Sequence, residues 1–183
     1  HHSAMKYAIG PRRELAVRTI FNVLGPLTNP AGAPSQVMGV YHKDLVEPIA
    51  YALKNLGSSH VMVVHSNDGL DEISIADSTY VAELKNGTVE TYSISPSDFN
   101  MQQANLDSIC VDDADASLKL IQEALDGQEG PAKDIIALNA GAAIYVSGLA
   151  NSLKDGVKKA QEVLNSGAAH QKLDDLVRMS TGC

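Results

Sequence analysis

The run HVMVVH, from residue 60 to residue 65, constrains the fold more than any other part of the chain. Its residues are apolar and often β-branched, with almost no polar interruption. Such a run is typical of a strand that is covered on both faces. Helix-like and strand-like segments surround it, so the sequence predicts an α/β domain with a central, mostly parallel sheet flanked by helices.

Further strands and one rigid loop are predicted from local patterns. Residues 36–41 form a short apolar run that indicates a buried strand. Two alternating segments within 79–93 flank the pair Asn86-Gly87, which is typical of a hairpin turn. Residues 25–32 contain two prolines and two glycines, so we expect an ordered loop that cannot continue a helix.

Several helices are predicted from periodicity and capping signals. Asp44 and Glu47 have the spacing of a capping box and predict a helix that ends near Gly57. The other predicted helices span 12–21, 114–126, 132–148, 152–167 and 168–179. The helix over 132–148 is rich in Ala and Gly, which favours close packing against a neighbour. No repeat or linker divides the chain, so residues 1–183 are interpreted as a single α/β domain.

Composition and charge exclude several classes of protein. The chain carries 14 Lys and Arg against 22 Asp and Glu, a net charge of −8, and so lacks the basic surface of a general nucleic-acid binder. No run approaches the roughly 20 apolar residues that span a bilayer. Two cysteines, Cys110 and Cys183, are too few for a disulfide scaffold. We therefore expect a cytoplasmic protein.

The segment that follows the buried strand is the first candidate site. Ligands of open α/β sheets gather at the carboxyl ends of strands, and this segment offers Asp68, Asp71 and Glu72 there. Neighbouring carboxylates repel one another unless a positive charge neutralises them. Mg²⁺ is commonly held by one or two carboxylates together with substrate phosphates. The alternative interpretation is a solvated acidic turn.

Arginines near the start of the chain are the second candidate. Arg12, Arg13 and Arg18 lie beside the Gly-Pro loop, and an arginine can bind a carboxylate through a planar, bidentate fork. Surface salt bridges, for example with Glu14, are the alternative. The sequence contains no phosphate-binding Walker loop, no dinucleotide GxGxxG, no GxSxG elbow and no CxxC pair.

A long and unusual string, GPRRELAVRTIFNVLGPLTNPAG at residues 10–32, carries a family resemblance. Together with HHSAMK at the start and VVHSNDGLDEIS at 63–74, it resembles the C-terminal part of the anthranilate phosphoribosyltransferase family. The resemblance extends over essentially the whole chain. It implies a catalytic domain of the nucleoside phosphorylase/phosphoribosyltransferase type, in an enzyme that works as a homodimer.

The activity that this resemblance implies belongs to tryptophan biosynthesis. The phosphoribosyl group of phosphoribosyl pyrophosphate is transferred to anthranilate, giving N-(5-phosphoribosyl)anthranilate and pyrophosphate. Two Mg²⁺ ions are expected in each active site. Matched motif to motif, Asp71 and Glu72 would be metal ligands, Arg12 would bind the anthranilate carboxylate, and His2 would lie near the entry path of anthranilate.

The family's glycine-rich phosphoribosyl loop and its Lys-His-Gly segment do not occur in this sequence. We therefore expect a C-terminal fragment that is inactive alone. Three other functions stay open. A pyrimidine nucleoside phosphorylase-like enzyme would need no paired-carboxylate metal site. A non-catalytic, transferase-like protein would bind nucleic acid, which the net charge of −8 disfavours. An interaction domain would bind no divalent metal.

Overall fold

The computed structural model of the chain describes residues 21–29 and 31–182, and it divides into two units between Gly32 and Ala33. The described part of the first unit contains one short helix, α1 (Phe21–Leu27). Directly after the helix, the Thr28 N–H and Oγ1 both donate to the Leu24 carbonyl, at 3.0 and 2.8 Å, and so satisfy a carbonyl of its last turn. The single domain predicted over 1–183 stays a prediction.

Helix α1 corrects the prediction that residues 25–32 form a loop throughout, because Gly25 and Pro26 lie inside the helix. A proline inside a helix lacks the N–H for one intrahelical bond, and α1 ends one residue after Pro26, at Leu27. The loop itself begins at Thr28. Apart from Phe21, the helix predicted over 12–21 lies outside the described residues.

The second unit contains the sheet and the remaining helices. In chain order its elements are β1 (Ser35–Gly39), α2 (Val46–Asn55), β2 (His60–Ser66), β3 (Thr79–Lys85), β4 (Thr88–Ile94), α3 (Ala114–Leu125), α4 (Pro131–Val146), α5 (Leu153–Asn165) and α6 (Ala168–Thr181). Short 3₁₀ turns occur at Lys43–Leu45, Pro96–Phe99 and Leu106–Ile109. Within the described residues, no helix has both the length and the apolar character needed to cross a bilayer.

The four described strands form one sheet in the order β1-β2-β3-β4. β1 and β2 are parallel, and α2 is the crossover between them. The other two pairs, β2–β3 and β3–β4, are antiparallel, because no crossover helix separates these strands along the chain. In the described part the sheet is therefore mixed rather than mostly parallel, while its α/β class with flanking helices is as predicted.

The hairpin between β3 and β4 follows the prediction. Asn86 and Gly87 both have positive φ, 52° and 77°. Two successive residues in this left-handed region make the turn whose twist matches the flanking strands, and Asn-Gly adopts it at little cost.

Two helix starts had a capping-type spacing in the sequence, at Ser152 and at Asp44, and the structure confirms only the first. Ser152 caps α5 by accepting the Asp155 N–H at 3.1 Å. At α2, by contrast, the Nδ1 of His42 accepts the Asp44 N–H at 3.2 Å, and the 3₁₀ turn precedes the helix. Asp44 is therefore a capped residue and not the cap, so the predicted capping box at α2 is wrong.

The core has two halves because both faces of β2 are buried. Val61 and Val63 point to the face covered by α2, where the buried side chains of the helix are Val46, Ile49, Ala50 and Leu53. Met62 and Val64 belong to the opposite half, which α4 and α5 supply with Ala137, Leu138, Ala142, Val146, Val157, Ala160 and Leu164. The prediction that this strand is covered on both faces is confirmed.

Helices α4 and α5 approach each other at two glycines. A Cβ on Gly141 would lie 2.5 Å from the Val157 Cα, and a Cβ on Gly156 would lie 2.3 Å from the Gly141 carbonyl oxygen. Neither position has room for a methyl group. The predicted close packing of the Ala- and Gly-rich helix is therefore backbone-to-backbone contact.

We expect Gly141→Ala to lower the free energy of unfolding by about 1–3 kcal/mol, because the added methyl forces the two helices apart. Alanine is the better helix former, so a raised stability would contradict this prediction. The measurement is equilibrium urea denaturation of the protein. Ala143→Gly is the matched control on the exposed side of the same helix, and it should cost about 0.5–1 kcal/mol through propensity alone.

Candidate functional site

The candidate site is the loop between β2 and β3, which begins where the parallel strands β1 and β2 both end. A tight turn opens it. The Ser66 N–H donates to the Leu70 carbonyl at 2.9 Å, and the Gly69 N–H donates to the Ser66 carbonyl at 3.0 Å. Gly69 has φ of 93°, a conformation that side chains disfavour. At the base of the loop, the Asn67 N–H donates to the Ser78 carbonyl at 3.0 Å.

Asp68 stabilises this loop through hydrogen bonds within it. Its Oδ1 accepts the Leu70 N–H at 3.0 Å, and its Oδ2 accepts the Ser74 hydroxyl at 2.5 Å. Burial by itself would raise the pKa of Asp68, but hydrogen bonds from Ser74, the Leu70 N–H and Ser66 outweigh it and lower the pKa below its ordinary value. Asp68 is therefore a charged carboxylate whose oxygens are already engaged.

Asp71 and Glu72 differ from Asp68 in both exposure and partners. Both side chains are exposed, although the chain becomes buried at the next residue, Ile73. Among the residues that the structure describes, neither carboxylate has a hydrogen-bond or ion-pair partner. The three carboxylates that the sequence grouped together thus separate into one that builds the loop and two that face outward.

Close contact with β1 places the Asp71 backbone. A Cβ on Gly39, the last residue of β1, would lie 1.5 Å from the Asp71 carbonyl oxygen. Only glycine leaves room for this approach. Nothing in the sequence near Gly39 indicates that a loop 32 residues later packs against it, so its role is not predictable from local pattern.

Helix α4 holds the residue that follows the pair. The amide side chain of Asn139 binds both backbone groups of Ile73, accepting its N–H at 3.0 Å and donating to its carbonyl at 2.9 Å. Ile73 and Ile75 are themselves part of the core cluster on this side of the sheet. The acidic pair thus has a close backbone contact at the Asp71 carbonyl and a side-chain contact directly after Glu72.

Nearby polar groups have structural partners. The Nδ1 of His65 lies 2.8 Å from the Val40 carbonyl, to which it donates. This bond ties the end of β2 to the residue after β1, which gives His65 a structural role. Within the described residues, no three His, Cys, Asp or Glu side chains are grouped closely enough to form a metal site by themselves.

A cleft of about 400 Å³ opens beside the loop, between α3 and α4. Its described polar lining consists of Glu72 and Ser117, and its other lining residues are aliphatic, among them Leu70, Ile121 and Ile136. The cleft thus places an apolar wall beside Glu72.

A second polar cluster lies at the other end of the sheet, around Glu83. This carboxylate accepts hydrogen bonds from Tyr92 Oη at 2.7 Å, Tyr145 Oη at 2.7 Å and His60 Nε2 at 2.9 Å. Burial alone would raise the pKa of Glu83, but these hydrogen bonds lower it. The donors come from β4, α4 and β2, so the cluster joins these elements to β3. The sequence signal for this cluster is Glu83 itself, a charged residue at an inward position of an alternating strand. The sequence predictions did not include it.

The remaining candidates from the sequence lie elsewhere. Arg12, Arg13, Arg18 and His2 fall outside the described residues, so their roles stay predictions. The structure therefore places Asp71 and Glu72 as a pair and leaves the anthranilate-binding candidates untested.

The chain is similar in sequence to proteins of known function. A family model described as "Glycosyl transferase family, a/b domain" matches residues 1–170. Among curated relatives, the anthranilate phosphoribosyltransferase of Ruthia magnifica is 69% identical over 183 residues, which are 100% of this chain and 54% of that protein. The corresponding protein of Vesicomyosocius okutanii is 63% identical, with the same coverage of 100% and 54%. The chain thus spans about half the length of these relatives.

Solved structures agree with the sequence relatives. The anthranilate phosphoribosyltransferase of Thermus thermophilus superimposes with a TM-score of 0.86 at 40% identity, over 95% of this chain and 51% of that one. The enzyme from Saccharomyces cerevisiae in complex with PRPP and Mg has a TM-score of 0.85 at 28% identity, over 100% and 53%. The same yeast enzyme was solved with 4-fluoroanthranilate. The family resemblance and the α/β fold class are confirmed.

We expect Gly39→Ala to displace the Asp71 backbone by about 2 Å, the distance needed to restore an ordinary van der Waals contact. Amide hydrogen exchange should then accelerate at residues 71–74, where the loop loses its contact with β1. Ser35→Ala, at the far end of the same strand, is the control and should leave this exchange unchanged. Unchanged exchange in Gly39→Ala would show that the loop does not depend on this contact.

Proposed function

The chain belongs to the glycosyl transferase family as an a/b domain, and we propose that it forms the metal-binding part of an anthranilate phosphoribosyltransferase. The reaction is the transfer of the phosphoribosyl group from phosphoribosyl pyrophosphate to anthranilate, in tryptophan biosynthesis. The proposal depends on the pair Asp71-Glu72, which lies at the carboxyl end of the parallel strands. Both carboxylates are exposed, and neither has a partner among the residues that the structure describes. The identity of 69% to a relative of this name supports it.

The pair fits Mg²⁺ by its donor chemistry. Mg²⁺ prefers oxygen ligands and is usually held by one or two carboxylates, with substrate phosphates and water completing the octahedron. Two adjacent carboxylates without a cationic partner in the described residues repel each other, and a divalent ion relieves that repulsion. The Mg complex of the similar yeast enzyme supports this metal, and we propose two ions per active site.

When bound, Mg²⁺ supplies positive charge that stabilises the negative charge developing on the leaving pyrophosphate. Asp71 and Glu72 would contribute ligands from a loop that is already held in place by Gly39 and Asn139. The bond from the anthranilate nitrogen to C1 of the ribose forms as the bond from C1 to pyrophosphate breaks. Pyrophosphate leaves with the electron pair, and the amine loses one proton.

Arg12 is proposed to hold the acceptor. Its guanidinium would bind the anthranilate carboxylate in a bidentate pair and so keep the amine in line with C1, which is a proximity effect. His2 is proposed to lie near the entry path of anthranilate. An aryl amine is already a competent nucleophile, so no strong general base is required of the chain.

The setting of the enzyme is part of the same proposal. We infer a homodimer and a cytoplasmic location, the latter supported by the low cysteine content, two residues in 183, which suits a reducing compartment. We also propose that the 183 residues are inactive when expressed alone. Anthranilate turnover by the purified chain would overturn that part without affecting the assignment of the reaction.

We expect Asp71→Asn and Glu72→Gln, made in the full open reading frame that contains this chain, to lower kcat/KM by about 100-fold or more, because charge stabilisation in the transition state is lost. The measurement is the loss of anthranilate fluorescence in the presence of phosphoribosyl pyrophosphate and Mg²⁺. Glu90→Gln, an exposed carboxylate on β4, is the matched control and should retain activity.

Two outcomes would contradict the assignment. Full activity and unchanged Mg²⁺ dependence in both variants would remove the metal role of the pair. Phosphorolysis of a pyrimidine nucleoside by the unmodified protein, without anthranilate turnover, would favour the nucleoside phosphorylase alternative.

For Arg12 we expect Arg12→Lys to raise the KM for anthranilate by about 10-fold or more, because lysine keeps the charge but loses the bidentate fork. The KM for phosphoribosyl pyrophosphate should not change. Arg13→Lys is the adjacent control. A rise confined to the KM for phosphoribosyl pyrophosphate would instead place Arg12 at a phosphate group.

A further inference from the structure

We propose that Asn139 of α4 is the positioning residue for the acidic pair: by holding the backbone of Ile73, it keeps Asp71 and Glu72 in the arrangement that binds Mg²⁺. The inference rests on the proposed function, since it names a residue that acts on the same metal site. Asn139 itself touches neither carboxylate in the contacts that the structure describes.

The contact is unusually complete for one side chain. Asn139 Oδ1 accepts the Ile73 N–H at 3.0 Å, and its Nδ2 donates to the Ile73 carbonyl at 2.9 Å. The second N–H of the same amide donates to the Ile135 carbonyl at 3.0 Å, one turn earlier in α4. An amide has both an acceptor and two donors, which a hydroxyl, carboxylate or ammonium does not offer in this geometry. Asn139 thus fixes both backbone groups of Ile73 relative to the helix.

The contact of Asn139 affects the acidic pair because Ile73 is the next residue along the chain. Ile73 directly follows Glu72, and its side chain is 2% exposed in the core. Between the two acidic residues, Gly39 admits the Asp71 carbonyl at close range. The backbone of the pair is therefore contacted at the Asp71 carbonyl and held directly after Glu72, while its two carboxylates stay exposed. Rotation of the Ile73 peptide groups would turn Glu72 relative to Asp71.

The relative placement of Asp71 and Glu72 should determine how tightly they bind Mg²⁺. Mg²⁺ requires near-ideal octahedral geometry, so ligands that must first be brought together bind it more weakly. In the absence of metal the two like charges repel. The hydrogen bonds of Asn139 to Ile73 limit how far the backbone after Glu72 can move in response. Residues that orient metal ligands from outside the ligand shell typically change metal affinity by about 10–100-fold when they are removed.

The test is Asn139→Ala in the full-length protein. We expect the Mg²⁺ concentration for half-maximal activity to rise by about 10-fold or more, while kcat at saturating Mg²⁺ and the KM for anthranilate change little. Two readouts do not depend on activity: calorimetric titration of Mg²⁺ into protein with pyrophosphate, and amide exchange at residues 71–74 without metal. We expect weaker Mg²⁺ binding and faster exchange.

Tyr145→Phe is the matched control. It removes a hydrogen-bonding group from the same helix, at the Glu83 cluster on the other end of the sheet. It should lower stability without changing the Mg²⁺ requirement. If Asn139→Ala is not obtained in folded form, Asn139→Ser, which retains a small polar group, is measured in the same way.

The outcomes separate this inference from the proposed function. If Asp71→Asn and Glu72→Gln abolish Mg²⁺-dependent turnover but the Asn139 variants keep the wild-type Mg²⁺ requirement, the positioning role is wrong and the metal site stands. An equal rise in the Mg²⁺ requirement for Tyr145→Phe would also overturn it, because the effect would then follow from general destabilisation. If the carboxylate variants have no effect, the proposed metal role of Asp71 and Glu72 is wrong, and the positioning role of Asn139 is wrong with it.

Discussion

Burial of β2 on both faces is the constraint on which the rest of the second unit depends. A strand without a solvent face needs a helix layer on each side, and α2 and the α4–α5 pair supply these layers. The chain can leave such a strand only at its ends. The polar loop therefore emerges at the edge where β1 also ends, and the close approach of α4 to this edge gives the loop a rigid neighbour.

Hydrogen bonding distinguishes Asp68 from the other two carboxylates of the loop. Asp68, Asp71 and Glu72 lie within five residues, and a site with three free carboxylates would oppose its own folding. Asp68 keeps its charge, but Ser74 and the Leu70 N–H donate to its oxygens and stabilise that charge, so Asp68 is not a free ligand. Buried core residues directly after the pair then hold the backbone. Two outward carboxylates remain, which is the number that suits a hard cation shared with a phosphate-bearing ligand.

Helix α4 carries polar contacts at both ends of the same sheet. Asn139 binds the loop at the carboxyl end of β2, whereas Tyr145 binds Glu83 near its start. Between them lie small and apolar residues, and Gly141 allows α5 to approach the helix backbone directly. A helix packed this closely cannot easily shift along its axis, because its neighbour contacts backbone atoms and not flexible side chains. Its two polar ends therefore keep a fixed separation across the sheet.

The sequence alone determined those features that depend on neighbours along the chain. The two-faced burial of β2, the Asn86-Gly87 turn and the cap at Ser152 follow from local pattern and steric preference. The tertiary structure decided the strand directions, the extension of α1 through Pro26, and the roles of Gly39 and Asn139. Gly39 and Asn139 act on residues 32 and 66 positions away, respectively. Such contacts arise only when packing brings distant segments together, because no local preference of a glycine or an asparagine specifies which distant backbone it will meet.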